Sequence, residues 1–277
     1  MAVTEGAKPR GGPDFFSALP EGCIASVVSF TSPPDACRLA TLSGNFKWAC
    51  DSDVVWASFL PPDWRQMVSS RRVSSLKELY FSLCNDPVLS ADGKMSFLDR
   101  YSGKKCIMLS ARALSIALGD TSTYWSWNPI PSSRFAEVAE LIRAWWLEMR
   151  DTISSCMLSP GTLYAAYLVF KSKPTSYKFD FRPVKVAAGF VGDEAGKCER
   201  LVYLFSENNT RGRQSRRDGW LEIELGEFLT KDGEDREIEM SVSETTLDHH
   251  KKGGLVVGGI EIRPKDGKEQ CLCTGRV

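Results

Sequence analysis

Two hydrophobic rhythms divide the chain. From Asp14 to about Leu60 apolar residues recur at helical spacing. Leu19, Ile24, Val27, Val28 and Phe30 come first, and Ser32-Pro33-Pro34 breaks the run. A second segment opens at Asp35, a natural N-cap, and carries Ala36, Leu39, Leu42, Phe46 and Ala49. Asp53 opens a third piece with Val54, Trp56, Phe59 and Leu60, and Pro61-Pro62 stops it. Three short amphipathic helices bury too little surface to stand alone. The segment is expected to complete itself against a partner or against the rest of the chain.

Residues 63–103 read as a connector holding one good helix, Leu76 to Cys84, with Leu76, Leu79, Tyr80 and Leu83 on one side. After Gly103 the period shortens. Short runs rich in β-branched and aromatic residues follow: Cys106 to Leu109, Leu114 to Leu118, Leu163 to Phe170, Tyr177 to Phe190, Leu201 to Phe205, Trp220 to Leu225, Glu237 to Val242 and Leu255 to Arg263. Leu221, Ile223 and Leu225 alternate with polar neighbours, as strands with one buried face do. Gly, Pro, Asn and Asp punctuate the gaps. Ser132 to Arg150 fits a helix or a strand, and its β surroundings favour a strand from about Ala144 onward. The pattern predicts an α+β chain: an N-terminal helical module, then an antiparallel, jelly-roll-like β-sandwich.

Composition narrows the function. With 35 basic and 35 acidic residues the formal charge is zero, which gives no general affinity for nucleic acid or an anionic membrane. No apolar run approaches the ~20 residues that span a bilayer. Residues 1–13 are polar and glycine-rich, carry no secretory signal and read as disordered. The expected location is therefore the cytoplasm, with entry to the nucleus open. The 9 cysteines are odd in number, irregularly spaced and without a Cys-x-x-Cys, which argues against a disulfide framework and against a zinc site. The Asn208-Asn209-Thr210 sequon is expected to go unused. His249 and His250 lie together in a polar stretch without a third ligand or an accompanying nucleophile motif. No phosphate loop is present. The expectation is a binding protein with no cofactor, no metal and no catalysis. The basic run Arg211 to Arg217 reads as a solvated loop.

Residues 14–62 resemble an F-box. Leu19-Pro20-Glu21 matches the opening Leu-Pro-x-Glu, and Ile24, Val27 and Val28 fit its first apolar helix. Asp35, Ala36, Leu39 and Leu42 match its second helix. Phe46, Trp48 and Asp51 fit its middle, and Asp53, Val55, Trp56 and Leu60 its close. The resemblance implies docking onto the Skp-type adaptor of a cullin-RING (SCF-type) ubiquitin ligase, with Leu19, Pro20, Ile24, Val27, Leu39 and Trp56 as anchors.

Residues 104–265 resemble the phloem lectins of the Nictaba type. The carriers are Ser110 to Trp127, Ala136 to Met149, Tyr164 to Phe170, Asp218 to Phe228, Gly233 to Met240 and Gly259 to Pro264, in family order. Residues 266–277 remain as a tail. The resemblance implies a sandwich that binds glycans bearing N-acetylglucosamine or N-acetyllactosamine, with Trp125 as the ligand-facing ring, Trp127 in packing, and Glu237 and Glu244 accepting sugar hydroxyls. Leu118 stands where the family has a second tryptophan. Losing that ring removes about 0.5–1.5 kcal/mol of stacking, up to roughly tenfold in affinity. Two ligands therefore stay open: a glycan-bearing target, or a polypeptide degron on a domain whose sugar site has decayed.

Overall fold

The computed structural model describes residues 19–68, 73–177, 183–193, 197, 199–205, 213–244 and 252–265. The expectations for residues 1–13 and 266–277, for the sequon at Asn208, for His249 and His250, and for Cys198, Cys271 and Cys273 lie outside the described residues. The chain folds as two compact units. One runs to Ser82 and takes in Arg100–Gly103; the other comprises Leu83–Asp99 and the chain from Lys104 on. The expected connector is thus divided between them.

The first unit is helical: α1 (Glu21–Val28), α2 (Pro33–Leu39), α3 (Gly44–Asp51), α4 (Asp53–Phe59), α5 (Trp64–Met67) and α6 (Leu76–Asn85) as far as Ser82. Serines set the helix starts. Ser32 caps α2, taking the Asp35 N–H at 3.3 Å and donating to the Asp35 carboxylate at 2.7 Å. Ser43 caps α3 and Ser52 caps α4 in the same way. Two expectations are corrected here. Asp35 is the partner inside the helix rather than its cap, and Pro33 occupies the first turn, where a missing N–H costs nothing. The single second helix read from Ala36 to Ala49 is two, because Ser43 offers the chain a fresh N-terminus.

Trp56 is wholly buried at the centre of this unit. Its Nε1 donates to the Cys50 carbonyl at 2.7 Å. The rings of Phe59, Tyr80 and Phe81 surround it at 5.6, 5.2 and 5.3 Å. Tyr80 and Phe81 come from α6, so part of the missing core is supplied within the chain.

The second unit is an antiparallel sandwich. Its strands are β1 (Val88–Leu89), β2 (Lys94–Leu98), β3 (Lys105–Ser110), β4 (Ser115–Ile116), β5 (Trp125–Asn128), β6 (Val138–Leu141), β7 (Glu148–Ser154), β8 (Leu163–Tyr177), β9 (Val184–Phe190), β10 (Arg200–Val202), β11 (Arg213–Ser215), β12 (Leu221–Leu229), β13 (Glu237–Glu244) and β14 (Gly253–Pro264). The larger sheet runs β1-β2-β3-β14-β8-β12-β11, with β6 on β14 and β5 on β6. The smaller runs β10-β9-β13-β7-β4. Alternation decides which side chains meet between them. Ile107, Leu109, Leu168, Phe170, Ile223 and Ile260 face Val186, Ala188, Met240, Val242 and Met149 in one core.

Two glycines shape the sheets. Gly226 follows a bulge in β12, and a Cβ there would stand 2.8 Å from the Ala188 carbonyl of β9, so the sheets approach closely at that point. Gly259, at φ +148, sits in the β14 bulge, and a Cβ would stand 1.9 Å from the Leu109 carbonyl. That bulge shifts the inward-facing positions of β14 from Leu255 and Val257 to Ile260 and Ile262.

The strand expected from Ala144 begins at Glu148, and Val138–Leu141 forms β6 instead. The chain between them carries exposed side chains that a two-sided strand would bury.

Candidate functional site

In the helical unit, α1 and the turn leading into α3 enclose an open apolar cavity of about 420 Å³. Leu19, Ile24, Val27, Leu39, Leu42 and Phe46 line it, together with Val28 and Ser43. Leu19, Val27 and Leu42 remain substantially exposed, as do Phe30, Trp48 and Val54 on the same unit. Contiguous exposed apolar surface on this scale marks an interaction site. The expected anchors divide. Leu19, Pro20 and Val27 face outward, Leu39 is half-buried, and Ile24 forms the cavity floor. Trp56 is corrected: with no exposed surface, it holds the helices that present the anchors and cannot be one. Leu42 and Phe46 belong to the surface and were not among the expected anchors.

In the sandwich the candidate site lies at one end of the smaller sheet. The Ala117 N–H donates to the Glu148 carbonyl, and the Glu244 N–H to the Leu147 carbonyl. These bonds bring the turn after β4, the start of β7 and the end of β13 together. The Ile142 N–H reaches back to the Tyr124 carbonyl, closing the 142–148 segment over the 117–124 turn. This end exposes Leu118, Ile142, Trp145 and Trp146, each about two-fifths accessible. Leu118 is held at φ +57, a conformation costly for a residue with a Cβ. A cleft of about 100 Å³ lies between Tyr124 and Trp145, lined also by Thr123, Arg143 and Ala144.

Of the two tryptophans of β5, Trp125 does not take its expected ligand-facing role, and Trp127 packs as expected. Trp125 is buried in the core and its Nε1 donates to the Ala117 carbonyl at 3.1 Å. Trp127 is half-buried, but the Arg112 guanidinium lies 3.7 Å over its ring and is tied to Glu137 at 3.1 Å. Neither ring offers a free face to a ligand. Alternation makes both point to one side, and the sandwich core takes that side.

The two acids also separate. Glu244 is at the site, but its side chain is only 3% exposed and lies 2.5 Å from Lys252 Nζ. Neither of its oxygens finds an aligned hydrogen-bond donor among the described residues, so the contact is ionic. Lys252 also donates to the Trp145 carbonyl at 3.2 Å. Glu237 is exposed at the other end of β13, seven residues along an extended strand, which at ~3.3 Å per residue is roughly 23 Å away. One sugar cannot touch both carboxylates. The structure therefore joins Leu118 and Glu244, sinks Trp125 beneath them and leaves Glu237 apart.

Arg143, Trp145, Trp146 and Lys252 were not read as site residues. The adjacent pair Trp145-Trp146 held the signal, because two neighbouring rings cannot both enter one core. Elsewhere, the basic run gives Arg216 to carboxylates rather than to solvent: it meets Glu261 at 2.8 Å and Glu222 at 3.2 Å on the outer face of the larger sheet. Arg263 completes this network, bonding Glu222 at 2.6 Å and stacking over Tyr167. No group of three metal-capable side chains occurs among the described residues.

A family model described as "Phloem protein 2" matches residues 104–264. F-box protein At2g02240 of Arabidopsis thaliana is 47% identical over 260 residues, covering 90% of this chain and 80% of the relative. F-box protein PP2-B10 of the same plant is 48% identical over 259 residues, covering 90% of this chain and 94% of the relative. Putative F-box protein PP2-B12, also from Arabidopsis, is 46% identical over 254 residues, covering 91% and 98%.

Proposed function

The chain belongs to the phloem protein 2 family, in the branch that places an F-box before the phloem protein 2 domain, and from that premise we propose that it is the non-catalytic substrate receptor of a cullin-RING ubiquitin ligase. The apolar cavity framed by Leu19, Val27, Leu42 and Phe46 carries this reading. A helix of a Skp-type adaptor laid into it would bury the exposed side chains, each worth roughly 1.5–3 kcal/mol when fully covered. The adaptor in turn bridges to the cullin. The sandwich holds the target at the Leu118, Tyr124 and Trp145 end, and the bond-forming chemistry belongs to other subunits.

The test is co-purification of the full chain with a Skp-type adaptor. Val27→Asp combined with Leu42→Asp should abolish association while the circular dichroism stays unchanged, since both side chains are exposed. Wild-type chain that fails to retain the adaptor would remove the reading.

A second reading concerns the target's chemistry. The exposed ring of Trp145 beside the Tyr124 cleft could stack a pyranose in place of the buried Trp125, which supports capture of N-acetylglucosamine-bearing glycans. A glycan array on the full chain tests it, with Trp145→Ala expected to erase any signal.

A further inference from the structure

We infer that the exposed end of the sandwich reads a polypeptide segment that pairs an acidic side chain with a large apolar one, rather than a sugar. The inference rests on the receptor reading above and names the ligand class of that same site. Three observations carry it.

The first is what the site lacks. The sugar contacts that the resemblance implies are a free ring face on a β5 tryptophan and hydroxyl acceptors in Glu237 and Glu244. Here Trp125 is inside the core, Arg112 covers Trp127, and Glu237 stands at the other end of β13. Of the two acids the resemblance implies, only Glu244 is at the site, and it is buried against Lys252.

The second is what the site presents. Leu118, Ile142, Trp145 and Trp146 are exposed around the 117–124 turn and the 142–148 segment. Leucine and isoleucine add apolar contact but no stacking face, and a patch of this composition suits aliphatic or aromatic side chains.

The third is charge. Arg143 lines the cleft between Tyr124 and Trp145, is exposed, and makes no side-chain ion pair or hydrogen bond among the described residues. The Lys252 charge nearby is already matched by Glu244. Among the described residues lining the aromatic cleft, Arg143 is the one charged side chain. The complementary ligand brings one carboxylate to the guanidinium and an apolar side chain to the rings.

The experiment pans a random linear-peptide library, displayed on phage, on the full chain bound to its adaptor. Parallel panning on Arg143→Glu and on Trp145→Ala controls for other surfaces. Enriched peptides should carry Asp or Glu next to an aromatic or branched aliphatic residue. As synthetic peptides they should lose about tenfold or more in affinity on Arg143→Glu and keep most of it on Arg143→Lys. Chitotriose should not compete. Enrichment without an acidic residue, equal retention by Arg143→Glu, no enrichment, or competition by chitotriose each overturns the inference. Adaptor binding is measured on the same preparations. A chain that keeps its adaptor but selects no such peptide loses this inference alone, whereas a chain without an adaptor loses the receptor reading.

Discussion

Lys252 Nζ lies 2.5 Å from a Glu244 carboxylate oxygen, and both side chains are only 3% exposed. The pair ties the end of β13 to the start of β14, and Lys252 further fixes the Trp145 carbonyl. Removing one buried partner leaves the other charge without compensation. Lys252→Met is therefore expected to cost about 3–5 kcal/mol of stability. Lys252→Met with Glu244→Leu should recover most of that loss, since replacing a whole buried pair is near neutral. Urea unfolding of the four species in a double-mutant cycle checks this.

The two aromatic positions offered by sequence and by structure separate cleanly. Trp125→Ala should lower stability by about 3–5 kcal/mol, because it empties a core position. Trp145→Ala should leave the unfolding midpoint nearly unchanged and weaken target capture. Thermal melts beside a binding assay distinguish the pair. Equal melts would return Trp125 to the surface.

Leu118 is the one described non-glycine residue at positive φ. Leu118→Gly should relieve the left-handed backbone and stabilise the domain by about 0.5–1 kcal/mol. Leu118→Val, with a branched Cβ, should destabilise it. The order of melting temperatures, Gly above Leu above Val, is the measurement.

Burial pushes the Tyr164 hydroxyl up from 10.0 to about 12, against the Ser159 groups that favour the phenolate. The hydroxyl donates to the Lys105 carbonyl at 2.9 Å. Because the folded value is the higher one, the contribution is fully present below pH 10 and is lost as pH rises toward 12. Tyr164 alone should take roughly 2–3 kcal/mol from the stability measured in urea over that window, and Tyr167, also pushed up to about 12, adds to the fall. Tyr164→Phe should start less stable and show a shallower fall.

The sequence disclosed the fold more fully than the site, for physical reasons. Period two in Leu221, Ile223 and Leu225, and the F-box order from Leu19 to Leu60, are local signals, and local signals survive in one dimension. The role of Trp125 does not, because inward and outward rings alternate identically until the opposing sheet is known. The distance between Glu237 and Glu244 required knowing that they bracket a single strand. Lys252 is adjacent to Glu244 only through the pairing of Ala144 with Lys252 and the bond from Glu244 to Leu147, both long-range. The short strands β1 and β2 hid in the connector because two to five residues carry little periodicity.

The position of β14 has a consequence for how the molecule is made. It is the last described strand in chain order, yet it lies inside the larger sheet, bonded to β3, β6 and β8. While the ribosome is still short of Gly253, the edges of β3 and β8 that β14 joins have no partner strand. The helical unit can form long before that. A nascent chain thus completes the unit that carries the apolar cavity before its sandwich can close. A message cut short ahead of β14 would yield a chain with its apolar cavity formed and two strand edges of the larger sheet left open.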